Sequence, residues 1–148
     1  MRLDNWQNNL SGLIEERRNK PFNFIDSNCL LWAFDAIEAV TGNDLFSDYR
    51  GKYKSEMQAS LLLRKTDDVK TSEQLLVKKL GKTRKISFAR QGDIVFVNPK
   101  NIDLFLPADI KLFGLVPGVC YGSTSFFVGE FGLVQVQTLM LGKTIWVS

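Results

Sequence analysis

The apolar positions along this chain change period near its middle. Up to Leu80 they recur every three or four residues, the spacing of one helix face. From Lys85 onward they alternate or run in short blocks between glycines, the spacing of strands. The strongest helical signal is Leu30 to Val40, preceded by Asp26-Ser27-Asn28-Cys29 and closed by Thr41-Gly42-Asn43-Asp44. Asp26, Ser27 or Asn28 can each cap its start, and Gly42 suits the left-handed residue that ends a helix. At about 100° per residue, Cys29, Ala33, Ala36 and Val40 share one narrow stripe. Leu30, Trp32, Phe34 and Ile37 flank it, and Asp35 and Glu38 lie opposite. A helix apolar over most of its circumference belongs in the interior, and small residues along the stripe let it approach a sheet closely.

Other elements follow from the same pattern. Asp4-Asn5-Trp6-Gln7 resembles a capping box and opens a helix whose packing face is Trp6, Leu10, Leu13 and Ile14, stopped by Pro21. Pro21 to Ile25 reads as a short extended link with Phe22 and Phe24 as anchors. After Asp44, a turn-rich stretch carries Phe46, Tyr49 and Tyr53, which either fold back over the central helix or stand out as interface anchors with Phe131. Ser55 caps a helix from Glu56 to Arg64, with Met57, Leu61 and Leu62 on its buried side. Thr71-Ser72-Glu73-Gln74 opens another from Glu73 to Leu80, ended by Gly81. Ile86 to Ala89 alternates and leads into the turn Arg90-Gln91-Gly92-Asp93. Strands follow at Ile94–Val97, Leu104–Leu106, Gly114–Tyr121, Ser125–Val128, Leu133–Val136 and Thr144–Val147. Helices first and closely spaced strands second predict an α+β fold, N-terminal helices packed on a C-terminal antiparallel sheet. No linker, repeat or low-complexity stretch interrupts it, so residues 1–148 form a single domain.

Composition narrows the chemistry. The chain has 148 residues, of which 45% are hydrophobic, enough for one full-sized core. A net charge of +3 gives no reason to expect nucleic acid. The basic stretch from Lys78 to Arg90, free of acids, is either a solvated face or a surface for phosphates or an acidic partner. Two cysteines are too few for a disulfide framework, the first 20 residues lack the apolar core of a signal peptide, and no run is long enough to span a membrane. Histidine is absent altogether. That excludes Ser-His-Asp and Cys-His machinery within the chain and leaves no credible metal site; no cofactor is expected either.

Cys29 is the candidate of chemical interest. The first turn of a helix presents N–H groups and the positive end of the macrodipole, which stabilise a thiolate. The competing reading is a small buried residue, as free cysteines usually are. Asp26 or Asp93 could serve as a base, but an ordinary carboxylate is poorly matched to that task.

Several segments together resemble a known family. They are Trp6 with Leu10, Lys20-Pro21-Phe22, Asn28-Cys29-Leu30, Asp35 to Gly42, Tyr49 to Tyr53, Gln91 to Val95, Gly118-Val119-Cys120, Gly132-Leu133-Val134 and Trp146-Val147. In this order they are similar to the NlpC-type peptidoglycan peptidases of the papain-like superfamily. They resemble more specifically an uncharacterised phage and prophage family related to them and encoded among tail-tip genes. The resemblance implies an NlpC-type papain-like fold with Cys29 at the nucleophile position. It also exposes departures. Asn28 stands where the family usually has Asp, Val116 stands where active enzymes place their histidine, and Phe126-Phe127-Val128 occupies the strand that would supply a polar orienting residue. Losing one member of such a triad costs on the order of 10⁴ to 10⁶ in turnover. If the strand around Gly118 packs on the helix stripe, Val116, Gly118 and Cys120 face it by period two, and Val116 fills the pocket beside Cys29. The resemblance thus implies a vestigial peptidase kept as scaffold. The expected role is a structural component of a phage tail tip or baseplate hub, made in the bacterial host cytoplasm and resident in the virion tail. Its expected partners are other tail-tip and hub proteins and peptidoglycan. The alternative is an active cysteine peptidase or amidase cleaving peptidoglycan during genome entry.

Overall fold

Four helices precede the sheet in the computed structural model, which describes residues 1–100 and 114–148. They are α1 (Trp6–Arg17), α2 (Cys29–Thr41), α3 (Glu56–Asp67) and α4 (Ser72–Leu80). The strands are β1 (Arg84–Lys85), β2 (Ile94–Val97), β3 (Val116–Cys120), β4 (Thr124–Gly129), β5 (Gly132–Gln137) and β6 (Lys143–Ile145). They form one antiparallel sheet in the order β1-β6-β2-β3-β4-β5. The expected α+β arrangement is therefore present. The strand read at Leu104–Leu106 lies outside the described residues.

Helix α2 is central because almost nothing on it tolerates water. Trp32, Ala33, Phe34, Ala36, Ile37 and Val40 are wholly buried, and the Trp32 indole N–H donates to the Phe126 carbonyl at 3.0 Å. Asn28 caps it, accepting from the Leu31 N–H at 3.0 Å, and Gly42 ends it at φ 77°, where a side chain would be strained. On its polar side Asp35 pairs with Arg17 and Arg50 (2.5 and 2.7 Å). Arg50 also reaches Glu38 and Asp44 and so pins the 45–53 connection across the helix. Under that clamp Phe46 stacks on Phe34 and Tyr49 on Phe46, with centroids 4.7 and 5.1 Å apart. Phe46, Tyr49 and Tyr53 are buried, so they are core residues and not interface anchors, whereas Phe131 is exposed.

Alternation along the strands sorts the core into two clusters. Ile94, Phe96, Val119, Phe126, Val128 and Ile145 pack with the helices. Val95, Val97, Val116, Cys120, Phe127 and Val136 point to the other face. The 3-10 turns at Ile86–Phe88 and Thr138–Met140 follow strands on opposite edges of the sheet yet touch each other, so the sheet is curled around this second cluster.

Three local expectations are corrected. Asp4 makes no cap, because α1 starts one residue later behind Asn5, whose side chain makes no capping bond either. On α3 the buried positions are Ala59, Leu63 and Asp67, and Leu62 is half-buried against the core as expected, while Met57 and Leu61 are 74% and 62% exposed; the Leu61-Leu62-Leu63 run leaves the helix phase ambiguous, and packing chose the other one. Ile86 to Phe88 is a 3-10 turn, not a continuing strand.

Candidate functional site

Cys29 opens α2, but it does not face solvent. The extended link expected from Pro21 to Ile25 is absent: Asn23 to Ser27 turns back on itself through reciprocal backbone bonds between its two ends, and Phe22 and Phe24 meet edge to face with centroids 5.0 Å apart. These rings, with Asn28, Leu30, Tyr53, Ala59 and Ser72, close over the sulfur and leave a cavity of about 20 Å³. That is little more than the roughly 10–15 Å³ one water requires. The space beside Cys29 is thus shallow, but its lining is the Phe22–Phe24 loop, Tyr53 and helix residues, and Val116, expected to fill it, is not among them.

Asn28 holds this lid in place. Its Oδ1 accepts from the Leu31 N–H and from the buried Tyr53 hydroxyl at 3.1 Å, while its Nδ2 donates to the carbonyls of Phe24 (3.3 Å) and Asn23 (3.5 Å). An aspartate here would set its carboxylate against those two carbonyl oxygens, so the amide suits a closed loop. Tyr53 was legible in the sequence only as an aromatic in a turn-rich stretch; nothing local marks it as the partner of residue 28. Burial raises the Tyr53 hydroxyl pKa, and proximity to Cys29 adds to the rise.

The three positions of interest do come together. Cys29, Val116 and Phe127 all belong to the second apolar cluster. The phase of β3 differs from the expected one, because Val119 pairs with Ile94 and faces the helices, which turns Val116, Gly118 and Cys120 to the inside of the curled sheet. Cys29 joins them because it sits at the end of α2. Gly118 lets the Phe127 ring close this space: a Cβ there would lie 2.4 Å from the ring and 2.7 Å from the Phe126 carbonyl. Cys120 turns its sulfur toward the Gly122 carbonyl (3.4 Å), beside a buried hydroxyl pair, Ser125 and Thr138, 2.8 Å apart.

Burial is the largest influence on the Cys29 thiol. It raises the pKa, the N–H groups of Leu30 and Cys29 lower it, the Glu56 charge raises it again, and the outcome is about 12. Such a thiol is almost wholly protonated at neutral pH. Neither candidate base serves it. Asp93 is fully buried and accepts from Arg2, from the backbone and side chain of Arg90, and from the Val147 N–H, all within 3.1 Å. Asp26 is exposed and pairs with Lys20, and bonds from Asn23 and Lys20 hold its carboxyl below the usual range. Among the described residues no cluster of His, Cys, Asp or Glu is placed to hold a metal ion, and no helix is long and apolar enough to cross a membrane.

Residues 1–146 match the family model described as "Domain of unknown function (DUF6950)". The chain belongs to that family. No curated protein and no solved structure matches it.

Proposed function

We propose that this protein is a structural subunit of a phage tail tip or baseplate hub, an NlpC-type papain-like fold whose peptidase chemistry has been lost and whose work is done through contacts with neighbouring tail proteins. The observation that carries the loss of chemistry is the closure of Cys29 by Phe22, Phe24 and Tyr53, with Val116 and Phe127 in the same apolar cluster. A thiol held protonated cannot attack an amide, and no imidazole in the chain can protonate the leaving amine. The tail assignment is supported by the ordered segments, from Trp6 to Val147, that resemble the phage family.

The test has two arms. Purified virions of a phage encoding this chain are digested and analysed by mass spectrometry, and the chain is expected in the tail fraction at a fixed ratio to the hub proteins. In parallel, the purified chain and Cys29→Ser are incubated with peptidoglycan sacculi, and neither is expected to release muropeptide ends. Absence from tails would remove the assembly role. Hydrolysis abolished by Cys29→Ser would establish the peptidase instead.

A further inference from the structure

The two edges of the sheet differ in kind. β1 is two residues long, both are cations, and a 3-10 turn follows at once. Short length and charge keep an edge from pairing with another chain. β5 has neither guard. It runs against β4 for six residues without a bulge, it holds no proline, and residues 131–142 carry no charged side chain.

The outer side of β5 can be followed group by group. In an antiparallel pair, successive residues turn their N–H and C=O alternately toward the neighbouring strand and away from it. The Leu133 N–H points away from β4, because it donates to the Arg18 carbonyl at 3.0 Å, whereas the Thr138 N–H points to the β4 side and donates to the Ser123 carbonyl at 2.9 Å. Leu133, Gln135 and Gln137 therefore face outward. Arg18 occupies the Leu133 N–H, and the Gln137 carbonyl belongs to the 3-10 turn that this residue caps. Two acceptors, the carbonyls of Leu133 and Gln135, and two donors, the N–H groups of Gln135 and Gln137, have no partner among the described residues.

We propose that β5 is a homodimer interface, pairing antiparallel with β5 of a second copy of this chain about a two-fold axis at Gln135. In that register Gln135 lies opposite its own counterpart, and the two exchange both N–H···O=C bonds. Each Gln137 N–H meets the Leu133 carbonyl of the other copy. The four open groups of one copy thus satisfy the four of the other. Moving the register by two residues either way sets an open group against one already bonded. The side chains fit the same axis. Val134 faces Val136 across it, and the two central amides, each donor and acceptor, pair without the repulsion that like charges would bring. Antiparallel pairing also joins opposite ends of the strand. It brings Phe131, 78% exposed just before β5, to Leu139 and Met140, 78% and 64% exposed just after it. A parallel partner strand would leave these apolar side chains apart. This inference rests on the sheet edge alone, so it can fail while the tail assignment stands, or the reverse.

The test is sedimentation velocity of the full chain across a wide concentration range, with a species of twice the monomer mass expected. Gln135→Pro removes the central outward N–H without touching the β4 ladder, and Gln135→Lys sets two like charges on the axis. Each should raise the dimer dissociation constant about tenfold or more. Should the proline variant fail to fold, the lysine variant, at an exposed position, gives the same reading. Cross-linking reads the register. Residues of a hydrogen-bonded antiparallel pair have Cα atoms about 5.5 Å apart, within disulfide reach, and both native cysteines are buried. Gln135→Cys should form a disulfide-linked dimer on mild oxidation, whereas Met57→Cys, exposed on α3, should not. A monomer at every concentration, a dimer unchanged in both Gln135 variants, or cross-linking of Met57→Cys as readily as of Gln135→Cys would overturn the proposal.

Discussion

At Cys29 opposing influences act on one sulfur. Removal from water favours the neutral thiol, and the first-turn N–H groups favour the thiolate. Burial wins, so a thiol that looks activated along the chain stays protonated in the fold. The sign of the resulting pH dependence follows. An unfolded thiol titrates near pH 8.5 and the folded one near 12, so the folded state holds the proton more tightly. That contribution to stability is complete below the unfolded value and disappears as pH rises toward the folded one. Unfolding free energy, measured with urea from about pH 8 to 11, should therefore decline more steeply in the native chain than in Cys29→Ser. Tyr49 and Tyr53, both raised chiefly by burial, act in the same direction and leave a residual decline in the variant. Parallel curves would mean that the sulfur is not sequestered. Here the sequence placed a cysteine at a helix start but could not give its state, because a pKa depends on neighbours such as Phe22 and Tyr53 that no local pattern assigns.

At the scale of elements, helix starts were legible wherever the cap is a local contact. Ser55 accepts from the Gln58 N–H and Thr71 from the Gln74 N–H, and each glutamine side chain reaches back to the backbone N–H just before its cap, of Lys54 and of Lys70. These are interactions across four or five residues, so sequence spacing is enough to find them. Asp4 has the same spacing and forms no cap, because the chain before α1 is held elsewhere, with the Leu3 N–H bonded to the Val40 carbonyl. Substituting Ser55 or Thr71 with alanine should each cost about 1 kcal/mol, and Asp4→Ala should stay within about 0.5 kcal/mol. Urea unfolding of the three variants measures this directly; an equal cost for all three would contradict the cap assignments. The buried side of α3 shows the limit of periodicity. Three successive leucines fit two helix phases, and the neighbour they pack against decides between them.

For the whole molecule, the chain ends are fastened through one buried carboxylate. Asp93 takes Arg2 near the N-terminus, the Val147 N–H near the C-terminus and Arg90 beside it, while Arg2 also bonds the carbonyls of Gln91 and Val147. The Arg90-Gln91-Gly92-Asp93 turn was readable as a turn, yet nothing in four residues announces that both termini converge on its aspartate. Removing the acid strands the facing guanidinium of Arg2, so Asp93→Ala should cost about 3–5 kcal/mol in urea unfolding, well beyond a surface substitution. A loss under about 1 kcal/mol would show that the hub contributes little.

Local rules were sufficient for the order of helices and strands, the burial of α2 and its Gly42 terminus, since each depends on residues within a few positions of one another. The phase of β3, the fate of Phe46, Tyr49 and Tyr53, and the closure over Cys29 depend on partners tens of residues away. Pairing with β2 turned Val116 inward, the Arg50 clamp buried the aromatics, and the Phe22–Phe24 loop covered the sulfur. Such contacts are chosen by packing, which weighs shape and desolvation across the whole core, and no window along the chain contains both sides of them.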